Sequence, residues 1–296
     1  MNSSVAKSVH RQVAAYGNRF DPEVAQRMRQ MLAPLHSPQD AQSIQISRDH
    51  VYGSHERHRL DVFRSPRANT PQPALLFVHG GGFVGGDKRA SANEIFYDNV
   101  GAWAVRHRLV GITMNYRLAP AFQWPSGLED VAAAVAWVTA HAQELNVDAE
   151  RIVLMGHSAG AAHVGAYLAA EALAHRTPVR AAVLLSGLFD IAAAADNPSK
   201  SAYYGHDLQL REQQSSILGL TRSKTPLLVA FSELDPPDFQ RQGLLLLQAL
   251  VEARGSLPYT VQMKHENHVS ALFRLGLPDD PLGAELERFI ERHIFQ

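Results

Sequence analysis

The segment Arg151–Gly160 constrains the fold of this chain more than any other stretch. Four apolar residues, 152–155, lead directly into Gly156-His157-Ser158-Ala159-Gly160, and an alanine-rich segment of helical character, Ala161–Leu173, follows. A strand, a sharp turn between glycines and a helix form the context of a nucleophile elbow. The turn strains the serine backbone and exposes its hydroxyl, while the helix N-terminus directs N–H groups at the same place. The alternative is a serine that caps an ordinary helix after a buried strand.

Apolar, strand-like runs alternate with amphipathic, helix-like segments along the rest of the chain. Strands are predicted at Ile44–Val51, Arg59–Phe63, Ala74–Val78, Leu109–Tyr116, Ile152–Met155, Ala181–Leu185, Leu227–Phe231 and Tyr259–Met263. Helices are predicted at Ser91–Arg106, Gly127–Ala142, Ala161–Leu173, Asp238–Ala253 and Leu282–Ile294. Strands that alternate with helices of ten or more residues indicate an α/β protein with a mostly parallel sheet covered on both faces.

The chain has no internal repeat and no linker long enough to divide it, so residues 1–296 are predicted to form a single domain. Two short amphipathic helices are expected within residues 1–40, ahead of the first strand. They would form a small helical cap, which either covers a flank of the core or acts as a lid. Residues 190–220 are polar and irregular, with Asn197-Pro198 as a break, and are a candidate cap or pocket insertion.

Composition excludes several classes of function. The chain has no cysteine, so disulfides, a thiolate nucleophile and a cysteine-ligated metal are ruled out. The net charge is −1, and no basic stripe suggests nucleic-acid binding. No apolar run approaches the roughly 18 residues that a membrane span needs, and no signal-type apolar core begins the chain. A cytoplasmic protein is therefore expected. An edge strand or the last helix could pair in a homodimer, but nothing in the sequence requires it.

A glycine run follows the strand Ala74–Val78 and begins with His79. Gly80, Gly82 and Gly85 satisfy the G-x-G-x-x-G pattern of dinucleotide sites, but no helix opens there and no acidic residue follows at the end of the next strand. An oxyanion loop is the better interpretation, because consecutive glycines let two backbone N–H groups face a cavity. Ala159, after the serine, would supply a third donor. No cofactor is expected, and no metal, since no histidine pair has convincing zinc spacing with a carboxylate.

A serine nucleophile needs a base, and the base needs an orienting carboxylate. The loop after the strand Leu227–Phe231 offers Asp235 in a tight Leu-Asp-Pro-Pro turn, with Glu233 as the alternative. Asp238 is predicted to cap the following helix. His265 and His268 both follow the last strand, and His268 lies farther into the loop, from where its side chain could reach the elbow.

Several motifs together resemble the hormone-sensitive-lipase-like family of esterases, which has the α/β-hydrolase fold. They are His79-Gly-Gly-Gly-Phe83, Asn115-Tyr-Arg-Leu-Ala-Pro120, Leu128-Glu-Asp-Val131, Gly156-His-Ser-Ala-Gly160, Leu234-Asp-Pro236 and His268. The resemblance covers the chain from about Leu60 to its end. It implies Ser158 as nucleophile, Asp235 as acid, His268 as base, and Gly81, Gly82 and Ala159 as oxyanion donors. It also implies that the N-terminal helices correspond to the family's cap.

The elbow departs from that family at His157, where an aspartate is usual, and at Ala161, where a third glycine is frequent. Gly-His-Ser-Ala-Gly-Ala is more similar to arylformamidase (kynurenine formamidase) relatives, whose aromatic residue inside the glycine motif is missing here. We therefore expect a serine carboxylesterase that hydrolyses short-to-medium acyl or small aromatic esters through an acyl-enzyme. The alternatives are an amide hydrolase acting on an N-formyl aromatic amine and a non-catalytic ligand receptor on the same fold.

Overall fold

The computed structural model describes residues 3–36, 43–91, 93–176 and 179–296. The strands are β1 (Gln45–Val51), β2 (Arg59–Arg64), β3 (Gln72–Val78), β4 (Val110–Met114), β5 (Val147–His157), β6 (Ala181–Leu185), β7 (Leu227–Leu234) and β8 (Tyr259–Asn267). The helices are α1 (Ser3–Tyr16), α2 (Pro22–Leu32), α3 (Asp98–Arg106), α4 (Ser126–Ala140), α5 (Ala142–Leu145), α6 (Ala159–Leu173), α7 (Pro198–Tyr204), α8 (Leu208–Gln214), α9 (Ile217–Arg222), α10 (Pro237–Arg254), α11 (Ser270–Phe273) and α12 (Pro281–Ile290).

The eight strands form one sheet in the order β1-β2-β4-β3-β5-β6-β7-β8. From β4 to β8 every neighbouring pair is parallel, whereas β1 with β2 and β2 with β4 are antiparallel. The sequence prediction of a mostly parallel sheet is confirmed. Because the carboxyl ends of parallel strands meet at one edge, the loops after β3, β5, β6, β7 and β8 gather there.

Alternate residues of the central strands bury their side chains on opposite faces of the sheet. Leu76 and Leu154 face a core layer that includes Val131 of α4 and Leu168 of α6. Phe77 faces the other layer, against α1, α2, α3, α11 and α12. Since each fully buried large apolar side chain contributes about 1.5–3 kcal/mol, these two layers hold the strand ends in register.

The helical cap packs beside the last strand. We define it as residues 3–36, which comprise α1, α2, the turn between them and the turn after α2. Val13 of α1 and Met28 of α2 are buried in the same layer as Val269 and Phe273, which follow β8. Asp21 caps α2 by accepting a hydrogen bond from the N–H of Val24, and Pro22 occupies the first helical turn. Residues 1, 2 and 37–40 of the predicted cap lie outside the described residues.

Two predicted segments differ in the structure. The helix expected at Ser91–Arg106 begins only at Asp98, because the N–H of Tyr97 donates to the carbonyl of Lys88 and closes a loop ahead of it; residue 92 lies outside the described part. The segment 190–220, expected to be irregular, contains α7, α8 and most of α9. Asn197-Pro198, interpreted as a break, is instead the cap and first residue of α7, and Asn197 accepts from the N–H of Lys200.

In the part of the chain that the structure describes, no helix combines the length and the apolar character needed to cross a membrane.

Candidate active site

Ser158 lies in a strained turn between β5 and α6, at φ 57° and ψ −122°. Gly156 and Gly160 make this turn sterically feasible, because a Cβ at Gly156 would come within 2.4 Å of the Gly160 carbonyl oxygen. A Cβ at Gly160 would lie 2.1 Å from the carbonyl oxygen of Val78. The hydroxyl therefore stands at the carboxyl edge of the sheet, where only 6% of the residue is exposed.

The structure brings together the three side chains that the sequence suggested from distant positions. His268 Nδ1 lies 2.7 Å from Asp235 Oδ1, and His268 Nε2 lies 2.9 Å from Ser158 Oγ. Because a carboxylate can only accept, Nδ1 carries the proton and Nε2 is free to accept from the serine hydroxyl. We refer to these three residues as the candidate triad.

The second carboxylate oxygen of Asp235 is also occupied. Oδ2 accepts hydrogen bonds of 2.7 Å from the hydroxyl of Ser186 and of 2.7 Å from the backbone N–H of Ser232. Asp235 is fully buried, so these donors compensate for the loss of water around the charge. Ser186, at φ 49° directly after β6, was missed by the sequence analysis. Its position at the end of a buried strand was the available signal.

The alternatives that the sequence left open lie elsewhere. The carboxylate of Glu233 accepts from the N–H of His265; the His265 side chain is largely exposed and that of Glu233 is partly exposed. Asp238 is not the helix cap that we predicted: Pro236 holds the N-cap position of α10, and Asp238 accepts from the N–H of Ala195. Neither Glu233 nor His265 contacts Ser158 through a hydrogen bond.

The glycine loop after β3 lies against the elbow, and a Cβ at Gly80 would approach the Cβ of Ser158 to 3.0 Å. Gly81 and Gly82 have positive φ angles of 139° and 62°, and a Cβ at Gly81 would collide with the carbonyl of Gly85. Among the described residues, the N–H groups of Gly81, Gly82 and Ala159 have no hydrogen-bond acceptor. Free N–H groups beside a serine hydroxyl are suited to bind an oxyanion.

His79 braces the start of this loop. Its Nδ1 lies 2.6 Å from the carbonyl oxygen of Gly80, and its ring stacks on Tyr116 at 4.4 Å. Tyr116 in turn donates its hydroxyl to the carbonyl of His79. Burial lowers the pKa of His79 to about 4, so the ring is neutral near pH 7 and acts as a hydrogen-bond donor through Nδ1.

Two aromatic rings cover the imidazole of His268. Phe20, in the turn between α1 and α2, lies 4.4 Å from the imidazole, and Phe239 in the first turn of α10 lies 4.2 Å from it. Phe20 remains 42% exposed, so the helical cap reaches the candidate triad with a partly open side chain. Neither phenylalanine was assigned to the site from sequence.

No group of three or more histidine, aspartate or glutamate side chains is arranged to hold a metal ion within the described ranges. The arrangement of serine, imidazole, carboxylate and free backbone donors suits nucleophilic attack on an activated carbonyl carbon.

Comparison with known proteins places this geometry in context. The model of the BD-FAE family matches residues 60–233, which is more than half of the chain. Lipase 2 of Moraxella sp. (strain TA144) is 41% identical over 99 residues, covering 32% of this chain and 21% of that protein. Kynurenine formamidase of Meyerozyma guilliermondii is 28% identical over 173 residues, covering 54% of this chain and 60% of that protein. The chain thus spans less than two thirds of the length of these curated relatives.

Among solved structures, an esterase from the bacterial hormone-sensitive lipase family superposes with a TM-score of 0.71 at 24% identity, and 99% of each chain is covered. At that identity the likeness concerns the fold, and the predicted α/β-hydrolase fold is confirmed. The predicted resemblance to hormone-sensitive-lipase-like esterases, with a second similarity to a kynurenine formamidase, is confirmed as well.

Proposed function

The chain belongs to the BD-FAE family, and from this premise we propose that it is a serine carboxylesterase acting through an acyl-enzyme on short-to-medium acyl or small aromatic esters. One observation carries the proposal. A continuous hydrogen-bonded path runs from Asp235 through His268 to Ser158, with separations of 2.7 and 2.9 Å. This path can remove the serine proton as the hydroxyl attacks a carbonyl carbon.

In the acylation step, Ser158 Oγ bonds to the ester carbonyl carbon while its proton passes to His268 Nε2. Asp235 holds the imidazole in the Nδ1–H tautomer and stabilises the imidazolium that forms. The carbonyl oxygen gains negative charge and is bound by the N–H groups of Gly81, Gly82 and Ala159. Preorganised donors of this kind typically contribute about 3–4 kcal/mol each to the barrier reduction.

Collapse of the tetrahedral intermediate breaks the bond to the alcohol oxygen, which takes the proton from His268 Nε2. A water molecule then attacks the acyl-enzyme, with His268 as base for the second time. The carboxylic acid leaves and Ser158 regains its proton. The only co-reactant is water, so no cofactor is needed for the balance of the reaction.

Replacing Ser158 by alanine tests the proposal. Hydrolysis of p-nitrophenyl acetate is expected to fall at least about 1000-fold, since the nucleophile is removed. A fluorophosphonate probe is expected to label the wild-type protein and to leave Ser158→Ala unlabelled. The matched control is Ser47→Ala, whose hydroxyl forms a hydrogen bond with His50 in the edge strand β1 and takes no part in the candidate triad. Undiminished hydrolysis by Ser158→Ala would refute the mechanism.

A second candidate function, cleavage of an N-formyl aromatic amine, is supported by the similarity to a kynurenine formamidase over 54% of the chain. The same residues would serve, because amide cleavage also passes through a tetrahedral oxyanion. Turnover of p-nitrophenyl acetate and of N-formylkynurenine, measured in parallel, separates the two. A clear excess of kcat/KM for the formamide would favour the second candidate.

The organisation of the whole chain is also a proposal. We infer a single domain over residues 1–296, in which residues 1–40 contain the cap and residues 190–220 shape the pocket. Two observations support this arrangement: Phe20 contacts His268, and Ser199 lies 3.4 Å from where a Cβ at Gly82 would be. A cytoplasmic location and a homodimer stay predictions.

A further inference from the structure

His157, the residue before the candidate nucleophile, is turned towards the base. It is the last residue of β5 and is 2% exposed. Its ring centroid lies 4.9 Å from that of His268. The side chain is therefore enclosed between the elbow and the loop after β8.

A short hydrogen bond joins the two histidines. His157 Nε2 lies 2.6 Å from the backbone carbonyl oxygen of His268. A carbonyl oxygen only accepts, so Nε2 must carry the proton and Nδ1 must be bare. Burial, and after it the charge on a protonated His268, lowers the pKa of His157 to about 3. The imidazole of His157 is therefore neutral near pH 7. In the proposed reaction it stays neutral while His268 gains and loses a proton.

On either side of His268 in the sequence, the last two residues of β8 bond to the helix that follows. Asn267 accepts from the N–H groups of Val269 and Ser270. Glu266 accepts from the hydroxyl of Ser270 and pairs with Arg274. The hydrogen bond from His157 instead joins the backbone of His268 to the elbow that carries Ser158.

Burying the imidazole of His157 costs free energy, and the need to fill space does not explain why a histidine is used here. Nδ1 is buried without a hydrogen-bond partner. It faces the glycine loop, since a Cβ at Gly80 would lie 3.2 Å from it. An apolar ring of similar size would fill the same space without burying an unpaired acceptor. The hydrogen bond from Nε2 to His268 is the contact that an apolar ring would lose.

We propose that His157 is a positioning residue that holds the backbone of His268 where its imidazole reaches Ser158. The proposal rests on the proposed function, since it assumes that His268 is the base. Its chemical requirement is a neutral donor. An aspartate would not meet it, because its side chain is shorter than that of histidine and its ionised carboxylate has no hydrogen to donate.

The test compares three variants at two buried histidines. His157→Phe removes the donor, His157→Gln retains an N–H at similar reach, and His163→Phe makes the same change at a residue that is equally buried and forms no hydrogen bond to His268. The measurements are kcat and KM for p-nitrophenyl acetate, the rate of fluorophosphonate labelling, and the melting temperature.

We expect His157→Phe to lower kcat by about 10- to 100-fold with KM changed less than about twofold, because a displaced base acts mainly on the chemical step. Labelling should slow by the same factor. His157→Gln should restore kcat to within about fivefold of the wild type, and His163→Phe should stay within about threefold.

Unchanged kcat and labelling in folded His157→Phe would overturn the proposal, even with a lower melting temperature, because His157 would then only fill space. If that variant does not fold, His157→Met, which also lacks a donor, replaces it. Wild-type protein that neither hydrolyses esters nor reacts with the probe would instead contradict the proposed function.

Discussion

Within the described residues, the candidate triad and the helical cap meet at the ring contact between His268 and Phe20, yet different forces hold the two in place. Each triad residue is buried at the end of a strand and bonded to its neighbours at 2.7–2.9 Å. Hydrogen bonds to charged groups are directional and lose strength steeply with distance and angle. The triad side therefore has little freedom to move.

The helical cap is attached chiefly by apolar side chains. Val9, Val13, Val24, Met28 and Leu32 are buried against the layer that contains Phe273. Polar links are few in the described part of the cap: among them, His36 bonds to the carbonyl of Phe273, and His10 contacts Arg274.

Apolar contacts are non-directional, so a shift of a few tenths of an ångström costs little. The reaction geometry therefore depends on the strand ends, whereas the cap can affect which substrates reach them. Substitutions on the two sides should therefore change different kinetic quantities.

The largest effect in this comparison is expected for Asp235→Asn on the triad side. The amide can donate to His268 and so favours the tautomer that cannot accept the serine proton, which should lower kcat by about 10³- to 10⁴-fold. The measurement is kcat for p-nitrophenyl acetate. Asp238→Asn, three residues later, is the control and should change kcat less than about twofold. A loss below tenfold for Asp235→Asn would mean that the carboxylate does not orient the base.

A smaller loss, about tenfold in kcat, is expected for Ser186→Ala. The substitution removes one of the two donors to Asp235 Oδ2, and a bond to a charged group contributes about 1.5–3 kcal/mol. Ser232→Ala is a matched control, because its hydroxyl has no partner and its backbone N–H still bonds to Asp235. Equal kcat values for the two variants would show that the Ser186 hydroxyl does not support the carboxylate.

The smallest effect is expected on the cap side. Phe20→Ala should leave fluorophosphonate labelling within about twofold of the wild type, since no hydrogen bond of the triad is lost. It should raise kcat/KM for acetates of bulky alcohols relative to ethyl acetate by up to about fivefold, because removing the ring opens the space beside His268.

Phe239→Ala provides the matched comparison, since it removes the same kind of ring from α10, 4.2 Å from His268, and leaves the cap intact. Compared with Phe20→Ala, it should change the rate of fluorophosphonate labelling more and the preference among alcohol groups less. If both variants change the relative kcat/KM values of the acetates by the same factor, the cap does not control substrate preference separately from the triad.

Much of the candidate site was predictable because its residues occupy strand ends. Ser158 follows a buried apolar strand between glycines, and Asp235 and His268 follow later strands in the chain order expected for the fold. The sequence also favoured Asp235 over Glu233 from the turn that contains it. In contrast, Asp238 as helix cap was wrong, because the chain turns at Pro236 and leaves Asp238 facing Ala195.

The supporting contacts were not predictable in the same way. Ser186 meets Asp235 across 49 positions, and His157 meets His268 across 111 positions. Local patterns contain no information about which side chain points at which atom over such separations. Phe20 reaches His268 only because the cap packs beside β8.

The sequence by itself determined the alternation of strands and helices, the glycine-flanked serine and the order of the residues that follow it. These features depend on local periodicity and on the backbone freedom of glycine, which neighbouring residues encode. Only the tertiary structure decided that Ser186 supports Asp235, that His157 faces the base, and that Phe20 of the cap contacts His268. Those outcomes depend on distances between strand ends, which exist only once the sheet has formed.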